Sequence, residues 1–382
     1  MIKKLELKNF TTFEKLDIEF SPRINVIIGE NGTGKTQLLK AAYALASISS
    51  QNPKVTDTKE LEKIFTDKFT RIFMPDDLKI GRLARCQEAL CASVQGDFID
   101  NFSSDKKIKF DFSTRVETLK LDNEYKTEGY LYSMDPIFIP TKEVISLYRG
   151  LVNEPSHKNI FQNIFDDSYF DLCDKLHHSI EDKKHYRVQG ISEQITNKIQ
   201  GRFEFNDSSI KFNIGHYEEY ALSTIEKDKS KNFKTKFVSS VEEKVSAHLV
   251  AEGFKKLGVL NRLIENQSLV PKKSGPLFWD EPESNMNPKL MKLIVEILLD
   301  LSRKEQQIII TTHDYVLLKW FDLLSRESDS VYYHVLSKDS SNGKITKKTT
   351  KNYLDILPNA IDDTYAELVD QDILNSMGDL GK

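Results

Sequence analysis

The sequence predicts an α/β protein organised around a parallel sheet. Three observations carry that expectation. Ile24-Asn25-Val26-Ile27-Ile28 is a mostly apolar, β-branched run of the kind covered on both faces, and a glycine-rich turn and a helix pattern follow it. Leu277-Phe278-Trp279, a helical pattern (Leu290, Ile294, Ile297, Leu298, Leu301) and Ile308-Ile309-Ile310 succeed one another as strand, helix and strand, the spacing of a parallel unit. Segments of period two flank these elements, as expected of half-buried antiparallel strands.

At the N-terminus Leu5 and Leu7 alternate with Lys4, Glu6 and Lys8, and Leu16, Ile18 and Phe20 alternate with Asp17 and Glu19. Pro22 separates this pair from the Ile24–Ile28 run. A helix pattern (Leu38, Leu39, Ala42, Leu45) starts after Gly34. Residues 50–135 are less regular, although 107–121 alternates (Ile108, Phe110, Phe112) and reads as antiparallel. Ile137-Phe138-Ile139 before Pro140 is a short strand, residues 142–195 read as a helical insertion, and Phe203 to Ile214 reads as a hairpin around Asn206-Asp207. Lys227, Lys229, Lys231, Lys234 and Lys236 read as a solvated loop in preference to a phosphate-contacting patch. Residues 246–266 form an amphipathic helix pattern, and Asn287-Pro288 supplies a cap and a first-turn proline for the next helix.

Composition narrows the function classes. The chain has 382 residues, a formal charge of -4, 39% apolar and 29% charged residues, which is a globular composition able to bury a core without a staple. No uncharged apolar run approaches the roughly 18 residues that span a bilayer. MIKKLELKNF alternates where a signal peptide needs a continuous apolar segment. Cys86, Cys91 and Cys173 form an odd, sparse set without metal spacing, so a reducing, cytoplasmic setting is expected and no membrane partner. The near-neutral charge argues against permanent coating of nucleic acid.

Gly29-Glu30-Asn31-Gly32-Thr33-Gly34-Lys35-Thr36 fits the phosphate-binding pattern G-x-x-x-x-G-K-[ST] at every fixed position. Triphosphate oxygens need many donors at close range. Glycines let backbone N–H groups turn inward, and the following helix adds its N-terminal donors and dipole. Lys35 supplies a cation for the β- and γ-phosphates, and the Thr36 hydroxyl suits Mg²⁺. Asp280 and Glu281 end an apolar strand, where an acidic pair is costly unless a cation lies opposite. Asp280 would reach the Mg²⁺ shell through water, and Glu281 would orient and polarise the attacking water. His313, at the end of the next parallel strand, would contact the γ-phosphate or position the water.

With GENGTGKT (29–36), LFWDEPESNMNP (277–288) and IIITTHD (308–314), the chain resembles the ABC-type ATPase heads of the RecF, SMC and OLD lineage. That resemblance implies a P-loop NTPase fold: an ABC-ATPase-like head with a mixed sheet, an antiparallel β-lobe and a helical insertion. It gives Glu281 the catalytic-base position and His313 the switch-histidine position. Ser246–Leu257 resembles a degenerate signature helix, with Ser246 and Gly253 loosely substituting for LSGGQ, and Phe138–Glu143 lies near the expected Q-loop but without its glutamine. The implied division is 1–140 for the N-terminal part of the ATPase domain with P-loop and antiparallel strands, and 141–200 for the insertion. Residues 201–335 would form its C-terminal part with signature-like helix, Walker B and switch histidine, and 336–382 a C-terminal extension. No heptad arms of SMC length are present.

The short DEPE…NP form and AEGFKKLG resemble the ATPase components of PARIS-, Septu- and retron-type anti-phage systems. The resemblance implies ATP and Mg²⁺ as cofactors, a homo-oligomer formed through ATP-dependent contacts, and a separate effector, a nuclease or toxin. A DNA-repair or DNA-end-binding ATPase of RecF type is the alternative, with 227–236 or Lys344–Lys351 as its basic groove. Asp370-Gln371-Asp372 follows a helix-like segment and reads as a solvated helical face. His177, His178 and His185 read as polar helix surface.

Overall fold

The alternating N-terminal segments pair with one another in the computed structural model. It describes residues 1–50, 57–85, 91–99, 105–122, 134–152, 158–179, 188, 190–206, 209–221 and 233–378. β1 (Ile2–Phe10) and β2 (Phe13–Glu19) are antiparallel, and the fully buried β3 (Ile24–Gly29) leads through a loop into α1 (Lys35–Ser50). Next come α2 (Thr58–Phe73), β4 (Cys91–Ile99), β5 (Asp105–Ser113), β6 (Lys120–Leu121) and β7 (Ile137–Ile139). Four helices follow: α3 (Tyr148–Val152), α4 (Lys158–Ile164), α5 (Asp167–His177) and α6 (Ile191–Ile199). The strands β8 (Gly201–Asn206), β9 (Ser209–Ala221), β10 (Phe233–Ser239) and β11 (Val245–Ser246) precede α7 (Glu252–Glu265). The chain then alternates through β12 (Leu277–Asp280), α8 (Pro288–Arg303), β13 (Ile308–Thr312), α9 (Tyr315–Leu324) and β14 (Val331–Lys338), and ends in β15 (Ile345–Thr350) and α10 (Ala360–Gly378).

The central sheet has the order β15-β14-β3-β13-β12-β7. All its pairs are parallel except β14 with β15, so the sheet is mixed. Its strands lack alternation because both faces are covered. Val26, Trp279 and Ile310 face one core with α8 and α9, while Ile27, Phe278 and Ile309 face the other with Leu38, Leu39 and Leu45 of α1. Each such side chain contributes roughly 1.5–3 kcal/mol on burial. The helices at 148–199 join the first core, through Leu151, Leu172, Leu176, Ile191 and Ile195.

A second, antiparallel sheet has the order β2-β1-β4-β5-β6 and forms the β-lobe. Its inner face packs Phe10 and Phe110 against Phe69 and Phe73 of α2, with edge-to-face rings at 4.9–6.2 Å, and Phe112 meets Phe10 edge to face at 6.3 Å. A third sheet joins β8, β9, β10 and β11, with Asn206 opposite Ser209 at its first hairpin. Among the described residues no helix is long and apolar enough to cross a membrane.

One helix differs from its sequence pattern. The expected helix at 246–266 begins only at Glu252, because Val245 and Ser246 pair with Phe212 and Lys211 of β9 and residues 247–249 make a single 3₁₀ turn. Edge pairing holds that backbone extended, although its apolar spacing fits a helix. α8 begins as expected, with Asn287 accepting from Lys289 N–H and Pro288 in the first turn.

His334 ties the central sheet together from inside. It is fully buried on β14, with Nδ1 2.9 Å from Thr349 Oγ1 and Nε2 3.1 Å from Asn25 Oδ1. Burial, aided by Lys347, brings its pKa from 6.5 down to about 3. The folded value lies below the unfolded one, so the stabilisation from a neutral His334 is complete above pH 6.5 and is lost as pH falls from there toward 3. His334→Gln should lose less melting temperature than wild type between about pH 7 and pH 5. An equal loss in thermal scans would place the acid sensitivity elsewhere.

Candidate functional site at the sheet edge

Parallel strands deliver their C-terminal ends to one edge. Register sets Asp280 opposite Thr311 and Thr312 opposite Ile28, so three sequence-distant strand tips meet there. The loop after β3 carries Gly32 at φ +81° and Gly34 at φ +89°. A Cβ on Gly34 would lie 2.6 Å from Thr12 Cγ2 and 2.7 Å from Phe13 Cζ, so the loop is pressed onto the β-lobe. A Cβ on Gly32 would meet nothing within 4 Å, which leaves that side of the loop an open cradle. Lys35 is buried, and its ammonium donates to Gly29 O at 2.7 Å and Glu30 O at 3.1 Å. Burial lowers its pKa, against the pull of Glu281, Asp280 and Glu283.

Asp280 is buried at the tip of β12 and collects hydroxyls from three elements. Thr36 lies 3.0 and 3.1 Å from its two oxygens, Thr141 at 2.7 Å and Thr311 at 2.6 Å. Thr311 also accepts the Glu281 N–H at 3.0 Å. Glu281 stands at φ +47°, a left-handed conformation that costs a side-chain-bearing residue about 1–2 kcal/mol. Its carbonyl accepts from Ser284 N–H at 3.1 Å and from Lys256 Nζ at 3.2 Å, and its Oε1 lies 3.1 Å from His313 Nδ1.

Sequence reasoning passed over four of these residues. Thr141 was legible only as part of the Phe138–Glu143 segment near the expected Q-loop, and Thr311 only as a residue at the end of a strand. Glu283 is buried, accepts from Thr312 Oγ1 at 2.7 Å and His313 N–H at 3.1 Å, and so holds the end of β13; burial raises its pKa. Lys256 lies on the buried stripe of α7, four residues before Leu260, and a charge on an apolar stripe was the available signal. Its neighbour Lys255 reaches the segment after β7, at 2.8 Å from Ser146 Oγ and 3.6 Å from Glu143.

Other expected residues lie apart. Ser246 is on β11 while Gly253 is in the first turn of α7, so the two do not form one motif. Lys227, Lys229 and Lys231 fall outside the described residues, and Lys236 pairs across from Glu218 on β9. His185 and Cys86 also fall outside them. His177 Nδ1 lies 3.0 Å from Tyr148 Oη, and Asp370 and Asp372 are on α10.

Chemically, hydroxyl and carboxylate oxygens from Thr36, Asp280 and Thr141 form a hard donor set suited to Mg²⁺. The open loop above a buried ammonium suits a polyphosphate. Beside it lies a cleft of about 770 Å³, lined by Glu30, Asn31, His313 and Tyr315 and bounded by Tyr365 of α10, whose ring stacks on Tyr315 at 4.0 Å.

Comparison with known proteins adds three findings. A family model described as "AAA domain, putative AbiEii toxin, Type IV TA system" matches residues 24–319. The DNA replication and repair protein RecF of Streptococcus uberis is 39% identical over 95 residues, 25% of this chain and 23% of that protein. RecF of Bacillus thuringiensis is 43% identical over 60 residues, 16% of each. The chain thus spans less than a quarter of the length of these curated relatives. Among solved structures, an Smc head bound to the C-terminal winged-helix domain of ScpA has a TM-score of 0.51 at 15% identity, over 93% of this chain and 99% of that one. An Smc head with an extended coiled coil, bound to the ScpA C-terminal domain derived from Pyrococcus furiosus, gives 0.50 at 14%, over 91% and 96%. At these identities the likeness is one of fold, and it is the P-loop ATPase head fold.

Thr311→Val removes a donor from Asp280 and an acceptor from the Glu281 N–H at once. It should destabilise the protein by about 2 kcal/mol, since both groups lose a partner in a buried setting. Denaturation without nucleotide measures this, and a change below about 0.5 kcal/mol would show that neither bond matters to stability.

Proposed function

The chain belongs to this AAA domain family, within the RecF and SMC lineage of ABC-type ATPases, and on that premise we propose that it is a Mg²⁺-dependent ATPase acting as a molecular switch. The observation that carries the proposal is the meeting of Thr36 with Asp280 at 3.0 Å, with Lys35, Glu281 and His313 around them. Thr36 and Asp280, 244 positions apart in the chain, meet in one hard-oxygen, cation-bearing pocket.

Residues 29–36 would cradle the phosphates of ATP, and the Lys35 ammonium would turn from its own loop carbonyls to phosphate oxygens. Thr36, Asp280 and Thr141 would hold Mg²⁺. When bound there, Mg²⁺ supplies charge neutralisation on the phosphates. Glu281 would accept the hydrogen bond and the proton of the attacking water. His313, 3.1 Å from Glu281, would keep that carboxylate aimed.

The exposed start of α7 at Ala251 and Glu252 suits closure by a second copy over the nucleotide, so that hydrolysis reopens the assembly. The toxin-system description of the family supports a defence setting in which the switch controls a separate effector, a nuclease or toxin. A DNA-repair role is the second reading. The RecF matches favour it, as do Lys347, Lys348 and Lys351 at and beyond the edge strand β15. Turnover stimulated by DNA and falling steeply with salt would select it.

Lys35→Ala should weaken nucleotide binding by at least about 10-fold, measured by calorimetry or a fluorescent analogue. Glu281→Gln should bind ATP near wild-type affinity while phosphate release falls about 100-fold. Unchanged turnover in the Glu281 variant would remove it from the hydrolytic role.

A further inference from the structure

Lys256 occupies a place where lysine is rarely found. α7 buries Leu257, Leu260, Leu263 and Ile264, and Lys256 lies on that same side, 1% exposed. A lysine on a helix normally lays its stem along the surface and keeps its ammonium in water. This one is directed inward, and its ammonium ends 3.2 Å from the main-chain oxygen of Glu281.

The receiving residue explains the placement. Glu281 holds φ +47° without the freedom of glycine, so the surroundings must fix it. Its N–H is held by Thr311, its carboxylate by His313, and its carbonyl by Ser284 N–H and Lys256. The Ser284 contact belongs to the local turn. The Lys256 contact comes from a separate element and fixes the carbonyl against the body of the protein.

We propose that Lys256 is a positioning residue for the hydrolytic step, holding the main chain of Glu281 in the left-handed conformation that aims its carboxylate at the attacking water. The inference rests on the ATPase reading above. The charge of the lysine adds a second effect. Glu281, Asp280, Glu283 and Glu252 surround it and favour its charged form, and burial alone outweighs them, bringing its pKa down to about 8. A cation among these carboxylates makes the hydrogen bond to the Glu281 carbonyl a charge-assisted one.

The test compares Lys256→Met, Lys256→Arg, Glu281→Gln and the double variant K256M/E281Q in the full chain, with Lys35→Ala as the control. Lys256→Met should lower kcat by at least about 10-fold, with KM and the Kd for a non-hydrolysable ATP analogue within about two-fold. Lys256→Arg should retain more of kcat than Lys256→Met. On the Glu281→Gln background, Lys256→Met should cost less than about two-fold, because a residue acting through Glu281 has nothing left to position. Wild-type kcat in Lys256→Met would overturn the proposal. So would additive losses in the double variant, or equal losses of kcat and melting temperature in the Met and Arg variants. Phosphate release that does not depend on Lys35 would sink the ATPase reading, and this inference with it.

Discussion

A carboxylate buried at the tip of a parallel strand must be compensated, and Asp280 is compensated by three threonines. They come from the start of α1, from the segment after β7 and from β13. Each hydroxyl donates, so the carboxylate is satisfied without a protein cation. The consequence is geometric. The glycine-rich loop, β13 and the segment after β7 cannot shift independently while all three bonds persist. The rest of the edge is arranged around that fixed point.

The charges around it show which groups give way. Asp280, Glu281 and Glu283 stand near Lys35 and Lys256, and both lysines have pKa values lowered by burial despite these partners. Glu283 moves the other way, raised by burial. Desolvation therefore dominates Coulomb attraction at this edge, and the neutral forms of all three groups are closer than they would be in water. Lys35 satisfies itself on two loop carbonyls.

The two lysines at the start of α7 divide their reach. Lys255 goes to Ser146 and Glu143 behind β7, and Lys256 goes to Glu281 behind β12. One helical turn thus touches both segments that flank Asp280. Its N-terminal residues Ala251 and Glu252 remain exposed, without a side-chain cap.

Much of this was legible in the chain order. β3, the glycine loop, β12 and β13 have local signatures, because burial on both faces, positive-φ turns and strand-to-helix caps depend on residues within a few positions of one another. The convergence of Lys35, Thr36, Asp280, Glu281 and His313 at one edge follows from parallel strands ending together. Other features had no local signature. Ser246 was grouped with the helix because its apolar surroundings fit that period, while pairing with β9 holds it extended. Thr141, Thr311, Glu283 and Lys256 carry ordinary residue types, and their roles arise from partners 25–139 positions away. The sequence determined which strands would be buried and where a glycine-rich turn would join strand to helix, since those depend on short-range pattern. Only the tertiary structure decided which hydroxyls, carboxylates and lysines meet, since side-chain distance depends on packing between elements that sequence order leaves free.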